Sequence, residues 1–110
     1  MIKIGLFCAA GFSTGMLVNN MKSAAQKRNL EVEIDAYPQA KLSDCVKGMD
    51  VALLGPQVSY TFGKSELICK ECDVPLAVIP MADYGMLDGE KVLDLALSLS
   101  NNKASAFGGK

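Results

Sequence analysis

Among the side chains of this 110-residue chain that can do chemistry, the thiol of Cys8 has the most suggestive neighbours. It closes the apolar run KIGLFC, and Ala9, Ala10 and Gly11 follow with almost no side chain, so their backbone N–H groups can turn inward on an anion. Phe12, Ser13 and Thr14 come next, the last two carrying hydroxyls. From Ser13 to about Arg28 the spacing is helical, with Met16, Leu17, Asn20, Met21 and Ala24 near one face. Ser13 or Thr14 is then expected to cap that helix or to offer its hydroxyl to the same anion. The start of the helix adds the positive end of its dipole, a setting that favours thiolate over thiol in a nearby cysteine. Together these parts describe a cradle for a tetrahedral anion with a nucleophile at its rim, suited to attack on phosphorus. The plainer alternative is a strand-end core cysteine, with Gly11 merely permitting the turn.

What the chain lacks narrows the chemistry further. It has no histidine, which removes Ser-His and Cys-His nucleophiles and His-metal sites together. No metal or cofactor is expected. Net charge is −1 and the lysines are scattered, with Arg28 the one arginine, so no basic stripe interleaved with aromatics invites nucleic acid. Apolar runs such as VALLG and LAVIPMA are far too short to span a bilayer, and MIKIGLF reads as a strand rather than a signal peptide. A cytoplasmic protein with reduced thiols is expected. The CKEC motif, Cys69 to Cys72, falls in the last turn of a helix, where the dipole opposes a thiolate. A zinc site there would need two more ligands, and Cys45 lies at no matching spacing. Cys45 is expected in the core of a short helix.

Stepwise alternation of apolar runs and helical stretches implies one α/β domain, residues 1–102, with a loose Gly-rich tail over 103–110. The strands are expected at Ile2–Phe7, Val32–Tyr37, Val51–Leu54 and Leu76–Ile79. Helices are expected at Ser13–Arg28, about Lys41 to Lys47, about Gln57 to Cys72, and about Gly89 to Asn102. The expected architecture is a three-layer domain with a four-stranded parallel sheet, order 2-1-3-4, and helices on both faces. Direction reverses between strands 1 and 3, so the crevice at their C-terminal ends is the favoured ligand site. Its walls are the Cys8–Ser13 loop, the turn Gly55–Gln57, and the segment around Asp83, Tyr84 and Gly85. Pro56 suits a helix start, and Gln57 is placed to bond the loop or a partner.

Two families place a thiol-bearing phosphate loop on such a topology. The low-molecular-weight tyrosine phosphatases use C-x5-R, but Thr14 stands at the arginine position here and Arg28 lies at the far end of the helix. Without a guanidinium to grip the phosphoryl oxygens, fast hydrolysis is disfavoured. In that comparison Asp83 resembles the position of a phosphatase general acid. LFCAAGFST, DVALLGPQVSY and YGMLDGEKVL together resemble instead the IIB component of the sugar phosphotransferase system, lactose/cellobiose (chitobiose) class, from about Lys3 to Leu97.

That resemblance implies that Cys8 is phosphorylated, with residues Ala9 to Thr14 as its cradle. It implies a IIA partner whose phosphohistidine donates to Cys8, and a membrane IIC component that presents the accepting sugar, a β-linked disaccharide such as cellobiose, chitobiose or lactose. In a carrier, Asp83 and Tyr84 would shape the docking surface, and Phe12 would be either an exposed contact for IIA or IIC or simply half-buried. A monomer working transiently at the inner face of the membrane is expected. The alternatives are a phosphatase-like or arsenate-reductase-like enzyme using the same loop, and an anion-binding domain with an inert Cys8.

Overall fold

The computed structural model describes residues 1–9 and 12–107, with side chains for 1–9 and 14–101. Four strands, β1 (Ile2–Cys8), β2 (Val32–Pro38), β3 (Val51–Leu54) and β4 (Leu76–Val78), form one parallel sheet ordered β2-β1-β3-β4. The order and the four-strand count agree with the sequence expectation. β4 ends one residue early, although the Ile79 N–H still donates to the Leu54 carbonyl at 2.8 Å.

Side chains alternate across each strand, and here both faces are covered. Ile4, Leu6 and Cys8 of β1 join Val51 and Leu53 of β3 in one core layer. Phe7 joins Ala52 and Leu54 in the other. The first layer is completed by α1 (Phe12–Lys27), through Leu17, Val18, Met21, Ala24 and Ala25, and by α5 (Gly89–Phe107), through Val92, Leu93 and Ala96. The second is closed by α2 (Leu42–Cys45) and α3 (Phe62–Glu71), with Leu42 and Cys69 inward. Burying each large aliphatic side chain contributes about 1.5–3 kcal/mol, so these two layers are what hold the crevice walls in place.

Several elements differ from the sequence expectation. The long helix expected from Gln57 to Cys72 is two pieces: a 3-10 segment, Pro56–Thr61, and then α3. The 3-10 segment is itself kinked at Val58 (φ −114°, ψ 22°), whose side chain is buried, and α3 starts after Thr61. Thr61 Oγ1 donates to the Val58 carbonyl at 2.7 Å, satisfying an acceptor that a continuous helix would have used. The helix expected over Lys41 to Lys47 is a 3-10 turn, Gln39–Lys41, leading into the single turn of α2. A short helix, α4 (Met81–Gly85), occupies the segment read as a loop. α5 continues to Phe107, past the end expected at Asn102, while 108–110 lie outside the described residues.

Three helices end the same way. Asn29, Asp73 and Leu87 have φ of 57°, 58° and 51°, and each is followed by an N–H that reaches back five residues: Leu30 to Ala25, Val74 to Cys69, and Asp88 to Asp83, all at 2.9 Å. These are Schellman closures of α1, α3 and α4. Asn and Asp tolerate the left-handed conformation, whereas a leucine does not adopt it readily. Leu87 is held there by Asn20 Nδ2, which donates to its carbonyl at 2.8 Å. Two residues later, α5 starts against α1 so closely that a Cβ on Gly89 would collide with the backbone of Asn20 and Met21. Arg28, at the end of α1, bonds Glu90 at 2.6 Å and Asp94 at 2.7 Å on α5.

Candidate functional site

Cys8 is the last residue of β1 and is only 3% exposed. Strand alternation turns its side chain to the α1–α5 layer, where α1 starts four residues later at Phe12. The β1–β3 ladder continues one step past β3, with the Gly55 N–H donating to the Phe7 carbonyl at 2.9 Å. That bond sets Gly55 directly beside the thiol. A Cβ built on Gly55 would lie 2.5 Å from Cys8 Sγ and 2.9 Å from Gln57 Oε1, so only glycine leaves the sulfur its place.

The third wall is α4. Its Tyr84 is 6% exposed, and the hydroxyl lies 2.9 Å from Oγ1 of Thr14, which is 1% exposed. Cys8 and Gln57 are neighbours of the same hydroxyl. Burial pushes the Tyr84 phenol above its ordinary range, the Thr14 bond opposes that, and the neighbouring Cys8 reinforces it. Five expected site residues, Cys8, Thr14, Gly55, Gln57 and Tyr84, thus meet at the C-terminal edge of the sheet, where strand order reverses.

The remaining expected residues divide. Ala9 is exposed beyond the strand end. Ala10 and Gly11 lie outside the described residues, and Phe12 and Ser13 are placed only as the first two residues of α1. Because α1 already starts at Phe12, neither Ser13 nor Thr14 is its N-cap. Thr14 instead sits in the first turn with its hydroxyl engaged by Tyr84. Asp83 is on α4, half-buried, whereas Tyr84 of the same helix is the residue that neighbours Cys8 and bonds Thr14. Sequence reasoning had named Tyr84 without its contact to Thr14, which joins residues 70 apart.

Arg28 is accounted for at the other end of α1. Its guanidinium is raised above its ordinary value by the bonds to Asp94 and then Glu90, and it supplies nothing to the crevice. The CKEC pair is equally remote in character. Cys69 is 1% exposed at the end of α3, and burial pushes its thiol up to about 11, with Cys72 and Glu66 adding to the effect. A thiol that stays protonated is a poor redox nucleophile.

A thiol at a strand end, beside a glycine that leaves it room and near a buried hydroxyl pair, is a chemically reasonable nucleophile for group transfer. Residues 3–95 match the family model described as PTS system, lactose/cellobiose specific IIB subunit. Over 103 residues the chain is 42% identical to the PTS system galactose-specific EIIB component of Lactococcus lactis, covering 89% of this chain and 95% of that one. It is similar to the cellobiose-specific phosphotransferase IIB component protein of Borrelia burgdorferi, with a TM-score of 0.78 and 40% identity over 93% of this chain and 94% of that one. It also matches the PTS system lactose-specific EIICB component of Staphylococcus epidermidis, 28% identical over 88% of this chain but only 17% of that longer protein. The chain belongs to the lactose/cellobiose-specific IIB subunit family of the phosphotransferase system.

Proposed function

We propose that the protein carries its phosphoryl group on Cys8, taking it from a phosphohistidine of a IIA protein and passing it to a sugar held by membrane IIC. As a IIB component of the lactose/cellobiose type it is a phosphotransferase, moving phosphate from IIA to the sugar. IIB components work with IIA and IIC partners, and the EIICB relative supports the second of these. The observation that carries the Cys8 assignment is the thiol at the end of β1, at the point of strand reversal, with Gly55 leaving room for it. The residues from Ala9 to Thr14 form the cradle for the phosphoryl oxygens. With no histidine in the chain, the phosphohistidine belongs to the partner.

The sugar we expect is a β-linked disaccharide, selected chiefly by IIC; matched relatives are named for cellobiose, galactose and oligo-β-mannosides. No helix among the described residues is long and apolar enough to cross a membrane. We place the protein in the cytoplasm as a monomer that meets IIC at the inner face of the membrane. The experiment is a relay driven by phosphoenolpyruvate and the upstream carriers, run beside an aryl phosphate assay. Phosphate uptake without aryl phosphate turnover is expected. Aryl phosphate turnover without uptake would support the phosphatase-like enzyme instead, and neither would leave an anion-binding domain.

A further inference from the structure

We infer, on the reading that Cys8 is phosphorylated, that the Gln57 side-chain amide is a phosphoryl contact, donating an N–H to an oxygen of the group both in the phosphocysteine and during transfer. The space that Gly55 leaves is what brings the two together. The position a Cβ would take on Gly55 lies 2.5 Å from Cys8 Sγ and 2.9 Å from Gln57 Oε1, so thiol and amide converge on the same small gap. The residues on either side of Gln57 are fixed. Gly55 is tied to β1 by its N–H bond to the Phe7 carbonyl at 2.9 Å, and Val58, 3% exposed, donates its N–H to the Gly55 carbonyl at 3.1 Å. Pro56 between them has its φ set by its own ring. Gln57 itself is exposed, yet its side chain folds back beside the sulfur rather than running into solvent.

A phosphoryl group on Cys8 sets its oxygens two bonds from the sulfur, within reach of a side chain that already shares the sulfur's gap. An amide suits that place because it carries two N–H donors beside its oxygen. Its terminal torsion is broad, so the NH2 end can turn to an anion at little cost while the backbone stays fixed. In capture, the Cys8 thiolate forms the S–P bond as the N–P bond of the phosphohistidine breaks, and that pair stays on the imidazole nitrogen. In delivery, the sugar hydroxyl oxygen forms the O–P bond and loses its proton to a base of the sugar-binding partner or to water. The S–P bond breaks and its pair returns to sulfur. The phosphoryl oxygens stay negative through both steps, so a donor held on them acts in each direction. Thr14, Gly55, Gln57 and Tyr84, which the fold gathers at Cys8, bring no positive charge. Gln57 thus holds the group by hydrogen bonding alone, where a guanidinium would add its charge.

Because Gln57 is at the surface, its variants should fold as the wild type does, which denaturant unfolding checks. The probe is the phosphoprotein itself, charged by phosphoenolpyruvate and the upstream carriers, separated from them, and followed by phosphorus NMR against pH. For Gln57→Glu, which keeps the shape and adds a charge, the phosphoryl titration should move up by about one pH unit. For Gln57→Met, which keeps the length and loses both donors, it should move up by less. Transfer from phospho-IIA should fall about 10- to 100-fold in Gln57→Met, the size of one lost hydrogen bond to a charged group. Gln57→Glu should be slower still at neutral pH and recover as pH falls, because its protonated carboxyl again offers a donor. Either readout alone would overturn the inference. Slowed transfer with an unmoved titration would place Gln57 in docking of IIA, and a moved titration with unchanged transfer would leave the amide out of the reaction. No change in either, with Cys8 phosphorylated, would overturn it and leave the Cys8 assignment intact. No phosphate on Cys8 of the wild type would remove both.

Discussion

Cys8 and Cys69 are almost equally buried, at 3% and 1% exposure, yet they occupy opposite kinds of surroundings. Cys8 ends a strand just ahead of a helix start, with Gly55 against its sulfur and the Tyr84 hydroxyl among its neighbours. Cys69 lies in the last turn of a helix and packs in a layer of Phe7, Leu54, Val58 and Val74. Helix starts favour negative charge and helix ends oppose it. On the proposed assignment of Cys8, reactivity follows element ends and polar neighbours, with burial common to both thiols. A CxxC motif that looks like chemistry in one dimension is core material in three.

The largest contrast should come from the same substitution at both sites. Cys8→Ser should abolish phosphoryl transfer in the relay assay, while Cys69→Ser should keep it and lose about 1–3 kcal/mol of folding stability from the buried hydroxyl, measured by denaturant unfolding. Retained transfer in Cys8→Ser would erase the distinction. Gly55→Ala pushes a methyl into Cys8 Sγ and Gln57 Oε1 and should reduce transfer at least about tenfold, with an overpacking cost of about 1–3 kcal/mol.

A pH series tests the other half. The Cys69 thiol rises from 9.0 to about 11 on folding, so the unfolded chain releases this proton first. Its contribution to stability is complete below about pH 9 and is lost as pH climbs toward 11. Tyr84, also raised by burial, adds a loss of the same sign above its ordinary value of 10.0. Wild-type stability should fall across this window, and Cys69→Ala should flatten the lower part. Smallest of all, Arg28→Ala should lower the melting temperature slightly, by an amount that shrinks in high salt, and leave transfer unchanged. Its ion pairs are solvent-screened and far from Cys8. Lost transfer in that variant would return the arginine to the phosphate chemistry.

The sheet was readable because its strands are short, continuous apolar runs buried on both faces, as Val51–Leu54 shows. The order β2-β1-β3-β4 followed from alternation with helices, and it placed Cys8 and Gly55 at the same edge. α4 escaped because five residues after a proline show no helical period. Its formation depends on Tyr84 filling the core layer. The kink at Val58 escaped for a similar reason: burial of that side chain and the Thr61 bond override a pattern that reads as helix. Within the site, Gly55 and Gln57 were legible as a turn facing the crevice. The pairing of Thr14 with Tyr84 was not, since a bond between side chains 70 residues apart leaves no local signal. Nor was the left-handed Leu87, which a remote Asn20 side chain holds in place.

The most direct test maps the phosphate itself. After incubation with phosphoenolpyruvate and the upstream carriers, mass spectrometry of the intact and digested protein should find one phosphoryl group, on Cys8. Phosphate on another residue, or none while IIA is fully phosphorylated, would contradict the account.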